Sequence, residues 1–217
     1  MVLSWILDIL FPPKCIICRD LMQEKGTLIC GKCKKELPYT KNGGNLKGNF
    51  FTACVSPLYY ENSVRESLLR YKFQNMTVYA EPYGKLIAEC VEEYIEGEVD
   101  IISWVPLSKK SLRRRGYDQA RLLAEVVSKE LNIPCMPVLE KHRHTKQQSR
   151  TGSAEKRRAN ISGAYRVINR EEIRGKRILL IDDIVTTGST FSECARTLGM
   201  NGADKVYCAA AARKREH

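Results

Sequence analysis

An α/β protein built on a parallel sheet, with a small cysteine-rich module ahead of it, is the fold the sequence predicts. Three observations carry this. After Phe50, apolar strand-like runs alternate with helical patterns to the end of the chain, as in sheets whose crossovers are helices. Four of the nine cysteines are gathered as Cys15-x2-Cys18 and Cys30-x2-Cys33. Between the two regions lies "YTKNGGNLKGNF", Tyr39 to Phe50, whose glycines, asparagines and lysines suggest a linker or mobile loop. A module over residues 1–45 and a larger domain over residues 46–217 are therefore expected. The 217 residues suffice for one domain of ordinary size plus an appendage.

Each element has its own reason. "MVLSWILDILFPPKC" reads as a short amphipathic helix packed on the protein, because Pro12-Pro13 stop its apolar run far short of a bilayer span. It lacks the basic n-region and cleavage site of a signal peptide, so a cytoplasmic protein with no membrane span is expected. "TACVSPLYY" is a strand, and "NSVRESLLRYKF" is a helix capped by Asn62 or Ser63. A longer helix covers about Glu81 to Tyr94, with Leu86, Cys90 and Tyr94 at helical spacing. "DIISWVPL" is a buried strand entering a basic loop. Asp118 caps "QARLLAEVVSKEL", whose Leu123, Val127 and Leu131 share one face. "CMPVLEKH" and "GAYRVI" are strands flanking a polar, basic loop over 142–160. "RILLI", a helix from Ser189 and the strand "KVYCAAAA" complete the chain.

Composition narrows the partners. At 43% hydrophobic and 28% charged residues the chain can bury a core and is not a membrane protein. Net charge is +11. From Pro106 to Asn160 there are 14 Lys and Arg against 5 Asp and Glu, so +9 falls in that stretch. Such a field suits a polyanion, either a pyrophosphate or nucleotide or a nucleic acid. For Arg113, Arg114 and Arg115, a solvated surface run and a ligand contact are equally good readings. Trp5 and Trp104 read as packing residues, because no aromatic interleaves the basic run.

Two matched Cys-x2-Cys pairs can set four thiolates tetrahedrally around one zinc ion, and Gly31 eases the second turn. Four cysteines leave no open coordination position, so the expected Zn2+ is structural. Coincidental core cysteines and a redox dithiol are the alternatives, the latter needing one pair instead of two. Cys54, Cys90, Cys135, Cys194 and Cys208 stand singly among apolar neighbours and read as small buried hydrophobes.

Chemistry concentrates in "RILLIDDIVTTGSTFSECARTL". The strand delivers Asp182 and Asp183 to the carboxyl edge of a parallel sheet, where open α/β folds bind ligands. Thr186, Thr187, Gly188, Ser189 and Thr190 then turn into a helix N-terminus, whose free amides and hydroxyls suit a phosphate. Acids beside a phosphate cup match a phosphorylated sugar, the carboxylates accepting from vicinal hydroxyls. The Gly-Lys-Ser/Thr ending of a Walker loop is absent.

"ILLIDDIVTTGST" resembles the phosphoribosyl pyrophosphate (PRPP) motif of type I phosphoribosyltransferases. With "LDILFPPKCIIC", "YKF", "VPL", "RRRGYDQARLLA" and "RRANISGAY", nearly the whole chain resembles the ComF family, late-competence proteins with a zinc knuckle before such a domain. Asp118 stands where that pattern has asparagine, adding a negative charge near the proposed pyrophosphate loop. The resemblance implies that Asp182 and Asp183 hold the ribose hydroxyls and Thr186 to Thr190 the 5-phosphate. It implies that the turn Leu107, Ser108, Lys109, Lys110 meets pyrophosphate, with Mg2+ held mostly through ligand and water. Arg143, Lys146, Gln148, Arg150, Arg157 and Arg158 would belong to a mobile cover. In a transfer reaction Asp182, Asp183 and Lys109 would be the catalytic groups, Lys109 stabilising the departing pyrophosphate. The implied role is DNA uptake in natural competence, with single-stranded DNA and the competence DNA helicase as partners. An active phosphoribosyltransferase of nucleotide salvage and a PRPP-sensing regulator without turnover are the other two readings. Arg113 to Arg115 are the nucleic-acid candidates.

Overall fold

The structure is a computed structural model, and it describes residues 12–22, 27–142 and 163–215. The expected N-terminal helix and most of the basic cover loop, 143–160, lie outside the described residues. The described elements are α1 (Gly31–Glu36), β1 (Ala53–Val55), β2 (Leu58–Tyr59), α2 (Asn62–Phe73), α3 (Ala80–Tyr94), β3 (Ile101–Trp104), α4 (Lys109–Arg115) and α5 (Gln119–Leu131). They continue with β4 (Leu139–Lys141), β5 (Tyr165–Val167), α6 (Arg170–Ile173), β6 (Arg177–Val185), α7 (Ser189–Met200) and β7 (Lys205–Arg213).

The main sheet runs β1-β7-β6-β3, with β2 also on β7, and every pairing in it is parallel. Its two long strands, β6 and β7, are apolar on both faces because helices cover both. Leu179 and Ile181 of β6 and Tyr207, Ala209 and Ala211 of β7 face one cluster with α2, α3 and α5. Ile178 and Leu180, with Val206, Cys208 and Ala210, face the other, with α7, β4 and β5. The alternation is the two-residue period of a strand. The β4–β5 pair is antiparallel and stands apart from the main sheet.

Several expectations are corrected. "TACVSPLYY" forms two short strands, not one, because Pro57 carries no N–H for the ladder. Neither Asn62 nor Ser63 caps α2; the cap position is Glu61, which makes no side-chain cap bond, and Asn62 sits at φ 46°. The strand "RILLI" runs on through the acids to Val185. In α3, Leu86 and Cys90 are buried while Tyr94 is 39% exposed.

The stretch Tyr39–Phe50 is packed, not a free linker. Gly43 and Gly44 are buried, and Arg213 Nη1 donates to the carbonyls of Gly44 (2.7 Å) and Asn45 (3.1 Å). The amide of Ser56 donates to Gly43 O at 2.8 Å, and that of Leu46 to Cys54 O at 2.9 Å. Its backbone amides and carbonyls are spent on internal hydrogen bonds, while Lys41, Asn42, Asn45, Lys47 and Asn49 stay exposed. Ile16, Ile17, Cys33 and Leu37 of the cysteine module share the buried cluster of α2, α3 and α5.

Close approach of α3 to α5 depends on Gly84: a Cβ there would lie 2.5 Å from Val126 Cβ, inside contact distance. We expect Gly84→Val to separate these helices and lower unfolding stability by about 2 kcal/mol, measured by urea denaturation.

Candidate functional site

The carboxyl ends of β3 and β6 leave the sheet side by side. Trp104 pairs with Ile181, and the amide of Val105 donates to Ile181 O at 2.9 Å. The turn Leu107–Lys110 therefore departs beside Asp182. Ser108 caps α4, accepting from Ser111 N at 3.2 Å, and Lys109 and Lys110 are exposed at its start. Asp118 caps α5 as expected, its Oδ1 accepting from Arg121 N (3.3 Å). Its second oxygen accepts from Leu107 N at 3.4 Å and so ties the α5 start to the β3 turn. Asparagine offers one carboxamide oxygen where aspartate offers two.

Asp182 and Asp183 occupy consecutive strand positions and point to opposite faces. Asp183 is 5% exposed and turns toward α2, where Lys72 Nζ meets its Oδ1 at 2.9 Å. Asp182 is partly exposed and lies on the side of α7 and the β4–β5 pair, within electrostatic range of Lys141 and Cys194. Its Oδ1 accepts from Asp183 N at 2.8 Å. Burial, then the charge of Asp183, push the Asp182 carboxyl well above the usual range, against Lys72. Burial likewise raises Asp118, with Asp183 adding to the shift. Three acids thus repel one another across this edge.

After Val185 the chain turns through Thr186 and Thr187, both exposed, into α7. Gly188 takes φ 69° at the cap position, a left-handed conformation that favours glycine. A Cβ there would meet Leu46 Cδ2 at 2.9 Å, so the 39–50 segment closes on the turn from behind. No side chain caps the first amides of α7. The hydroxyls of Thr187 and Ser189 lie 2.9 Å apart beside them. Free amides and hydroxyls at a helix N-terminus form an anion cradle.

Two more cations stand at this edge: for Tyr71-Lys72-Phe73 a reach into the base pocket and a helix end closing the core are equal readings of the sequence, and Lys141 is not a candidate there. Lys72 lies in "YKF", whose side chains converge here: Tyr71 Oη donates to Gln119 O (2.8 Å) and Phe73 faces the Arg115 guanidinium, 5.4 Å from its ring centre. Lys141 sits behind Asp182, donating to Tyr165 Oη at 3.3 Å, and burial lowers its pKa. The signal for Lys141 was the cation itself, inside a strand that otherwise reads as packing.

The cysteine module forms a second centre. Cys15, Cys18, Cys30 and Cys33 bring their sulfurs within 4.8 Å of one another. Sulfurs bonded to zinc at about 2.3 Å would lie about 3.8 Å apart, and Cys18 and Cys30 stand at 3.8 Å. Burial opposes ionisation of Cys15, but amides of Cys30, Cys18 and Ile17 bring it down to about 7. Burial and the neighbouring thiols push Cys33 well above the usual thiol value. The donor set fits a structural zinc, which would relieve that competition by holding all four as thiolates.

Comparison with known proteins matches both parts of the chain. Residues 118–217 match the family described as phosphoribosyl transferase domain, and residues 6–44 that described as double zinc ribbon domain. The second stretch contains four cysteines, enough for one zinc. Competence protein F of Haemophilus influenzae is 28% identical over 215 residues, covering 89% of this chain and 93% of that protein. The chain is a homologue of competence protein F. Competence protein ComFC of Bacillus subtilis is 26% identical over 139 residues, 64% of this ComF homologue and 55% of that protein. The DNA utilization protein YhgH of Escherichia coli O157:H7 is 36% identical over 112 residues, 50% of this chain and 48% of that one. The fold is the parallel-sheet phosphoribosyltransferase fold with an N-terminal zinc ribbon. No helix among the described residues is long and apolar enough to cross a membrane.

Treating the protein with a strong zinc chelator should release one zinc per chain and lower the thermal midpoint, with Cys33→Ser reproducing the loss. Zinc content by metal analysis and melting by circular dichroism check both.

Proposed function

We propose that this ComF homologue binds PRPP and acts in the handling of DNA during natural competence. The observation that carries the ligand is the joint placement, at one sheet edge, of two carboxyls and a helix N-terminus whose amides no side chain caps. A ribose lying across the end of β6 would offer its hydroxyls to Asp182 and Asp183, while its 5-phosphate entered the Thr186–Thr190 turn. Pyrophosphate would then lie toward the Leu107–Lys110 turn, where Lys109 and Lys110 are exposed. Asp183 already holds an ammonium group, which favours a magnesium carried by the phosphate oxygens of the ligand over one caged by protein. Bound in that way, Mg2+ would neutralise charge on the pyrophosphate.

Calorimetric titration with PRPP and Mg2+ tests this. We expect saturable binding, and about a tenfold or greater loss in Asp183→Asn, the scale of a hydrogen bond to a charged group. Affinity unchanged in that variant would reject the assignment. The same titration with a panel of nucleobases separates the remaining roles. Pyrophosphate release that needs both a base and Asp183 identifies a transferase of nucleotide salvage, with Lys109 facing the leaving group. Binding without release identifies a PRPP-sensing protein.

A nucleic-acid role draws support from α4 and Phe73. Helix α4 buries none of its residues and presents Lys109, Lys110, Arg113 and Arg114 to solvent. The aromatic missing from that run in the sequence arrives from α2: Phe73 is 58% exposed and stacked beside Arg115. Cations for phosphates next to an aromatic face suit single-stranded DNA. The relatives named for competence and DNA utilization point the same way, and the competence DNA helicase would be the protein partner. Affinity for an oligonucleotide should fall steeply with salt and weaken in Arg113→Gln/Arg114→Gln. Phe73→Ala should weaken it about tenfold, as read by fluorescence anisotropy.

A further inference from the structure

The last turn of α2 touches three parts of the molecule through three consecutive residues. Arg70 Nη2 donates to Ile16 O (2.8 Å) and Ile17 O (3.0 Å), the carbonyls between Cys15 and Cys18. Tyr71, buried, donates through its hydroxyl to Gln119 O at the start of α5. Lys72 Nζ meets Asp183 at 2.9 Å, with their side chains 19% and 7% exposed. Successive side chains on a helix are about 100° apart, so three in a row fan out far enough to reach separate partners. The turn ends there: Gln74 N donates to Arg70 O, and Asn75 takes φ 55°.

We propose that Lys72 is a positioning residue of the sugar site, holding Asp183 as its charged acceptor, and that Arg70 sets Lys72 by anchoring the α2 turn on the zinc knuckle. The proposal rests on the sugar-phosphate reading of this edge. Asp183 faces Lys72 and Tyr71 of α2, Asp118 and Tyr117 of the α4–α5 turn, and Asp182 on its own strand. Lys72 is the cation among these groups. On the opposite face Lys141 of β4 and Cys194 of α7 border Asp182. An ion pair through Oδ1 leaves the other carboxylate oxygen of Asp183 for a hydroxyl donor, since a carboxylate has about four acceptor directions. Without the ammonium, the mutual repulsion of the acids would return a proton to the pair at higher pH, and a protonated carboxyl is the poorer acceptor. The knuckle thereby reaches the ligand edge through one helical turn, with no contact of its own to it.

The test uses full-length, zinc-loaded protein with carbon-13-labelled aspartate, comparing wild type with Lys72→Met, Lys72→Arg and Arg70→Met. In the ligand-free proteins, carboxyl carbons followed by NMR should titrate at higher pH in Lys72→Met and return toward wild type in Lys72→Arg. Arg70→Met should shift the same resonances in the same direction at unchanged zinc content. With PRPP and Mg2+, Lys72→Met should lose about tenfold in affinity at neutral pH and more as pH falls, whereas a purely structural defect would weaken binding equally at every pH. An unaltered carboxyl titration in Lys72→Met overturns the proposal, and one unaltered in Arg70→Met alone overturns the anchoring step. Wild-type protein that ignores PRPP would reject the ligand assignment instead, while the ligand-free titration still decides the part played by Lys72.

Discussion

Two carboxylates on consecutive residues at the end of a buried strand strain the fold unless a cation stands near them, and Lys72 supplies it. The α2–β6 contact is therefore more than a surface ion pair of the kind that contributes little. Both partners are largely buried, so removing the ammonium would leave an uncompensated charge in low dielectric. The acids then divide the work. Asp183 carries the paired charge, and burial beside that charge keeps Asp182 prone to protonation.

Around this pair the molecule arranges its polar groups by sign. The acids lie near the end of β6, before Val185, the cations begin at Lys109 on the neighbouring turn, and the uncapped amides open α7. Asp118 braces the arrangement, accepting from Leu107 N as well as from its own helix. A helix N-terminus attracts anions and the acids repel them. The edge therefore suits a ligand that is anionic at its ends and hydroxylated between. That match of chemistry to position, together with the homology to competence protein F, underlies the proposed role.

The zinc ribbon belongs to the same mechanical unit. Its apolar residues enter the cluster of α2, α3 and α5, and its carbonyls hold Arg70. A zinc held by so short a module would also fix, through those carbonyls, where the end of α2 can lie. Phe73, next in the chain, is carried to Arg115 by the same turn.

How much of this was legible in the sequence varies with the range of the interaction. The parallel α/β order, the four-cysteine module, the Asp118 cap and the acid–threonine–glycine edge all follow from periodicity, spacing or local hydrogen bonding, which act over a few residues. The break at Pro57 and the uncapped position of Glu61 before α2 depended on backbone details that propensities average out. The ordered path of Tyr39–Phe50 was hidden because its partners, Arg213 and Gly188, lie more than a hundred residues away. The opposite facing of Asp182 and Asp183 needed β6 to continue past Ile181. Which lysine met which acid, and which aromatic stood beside the basic helix, only tertiary structure decided. Charge and ring size are written in the residues, but the approach of α2 to β6 and α4 is set by packing across the core.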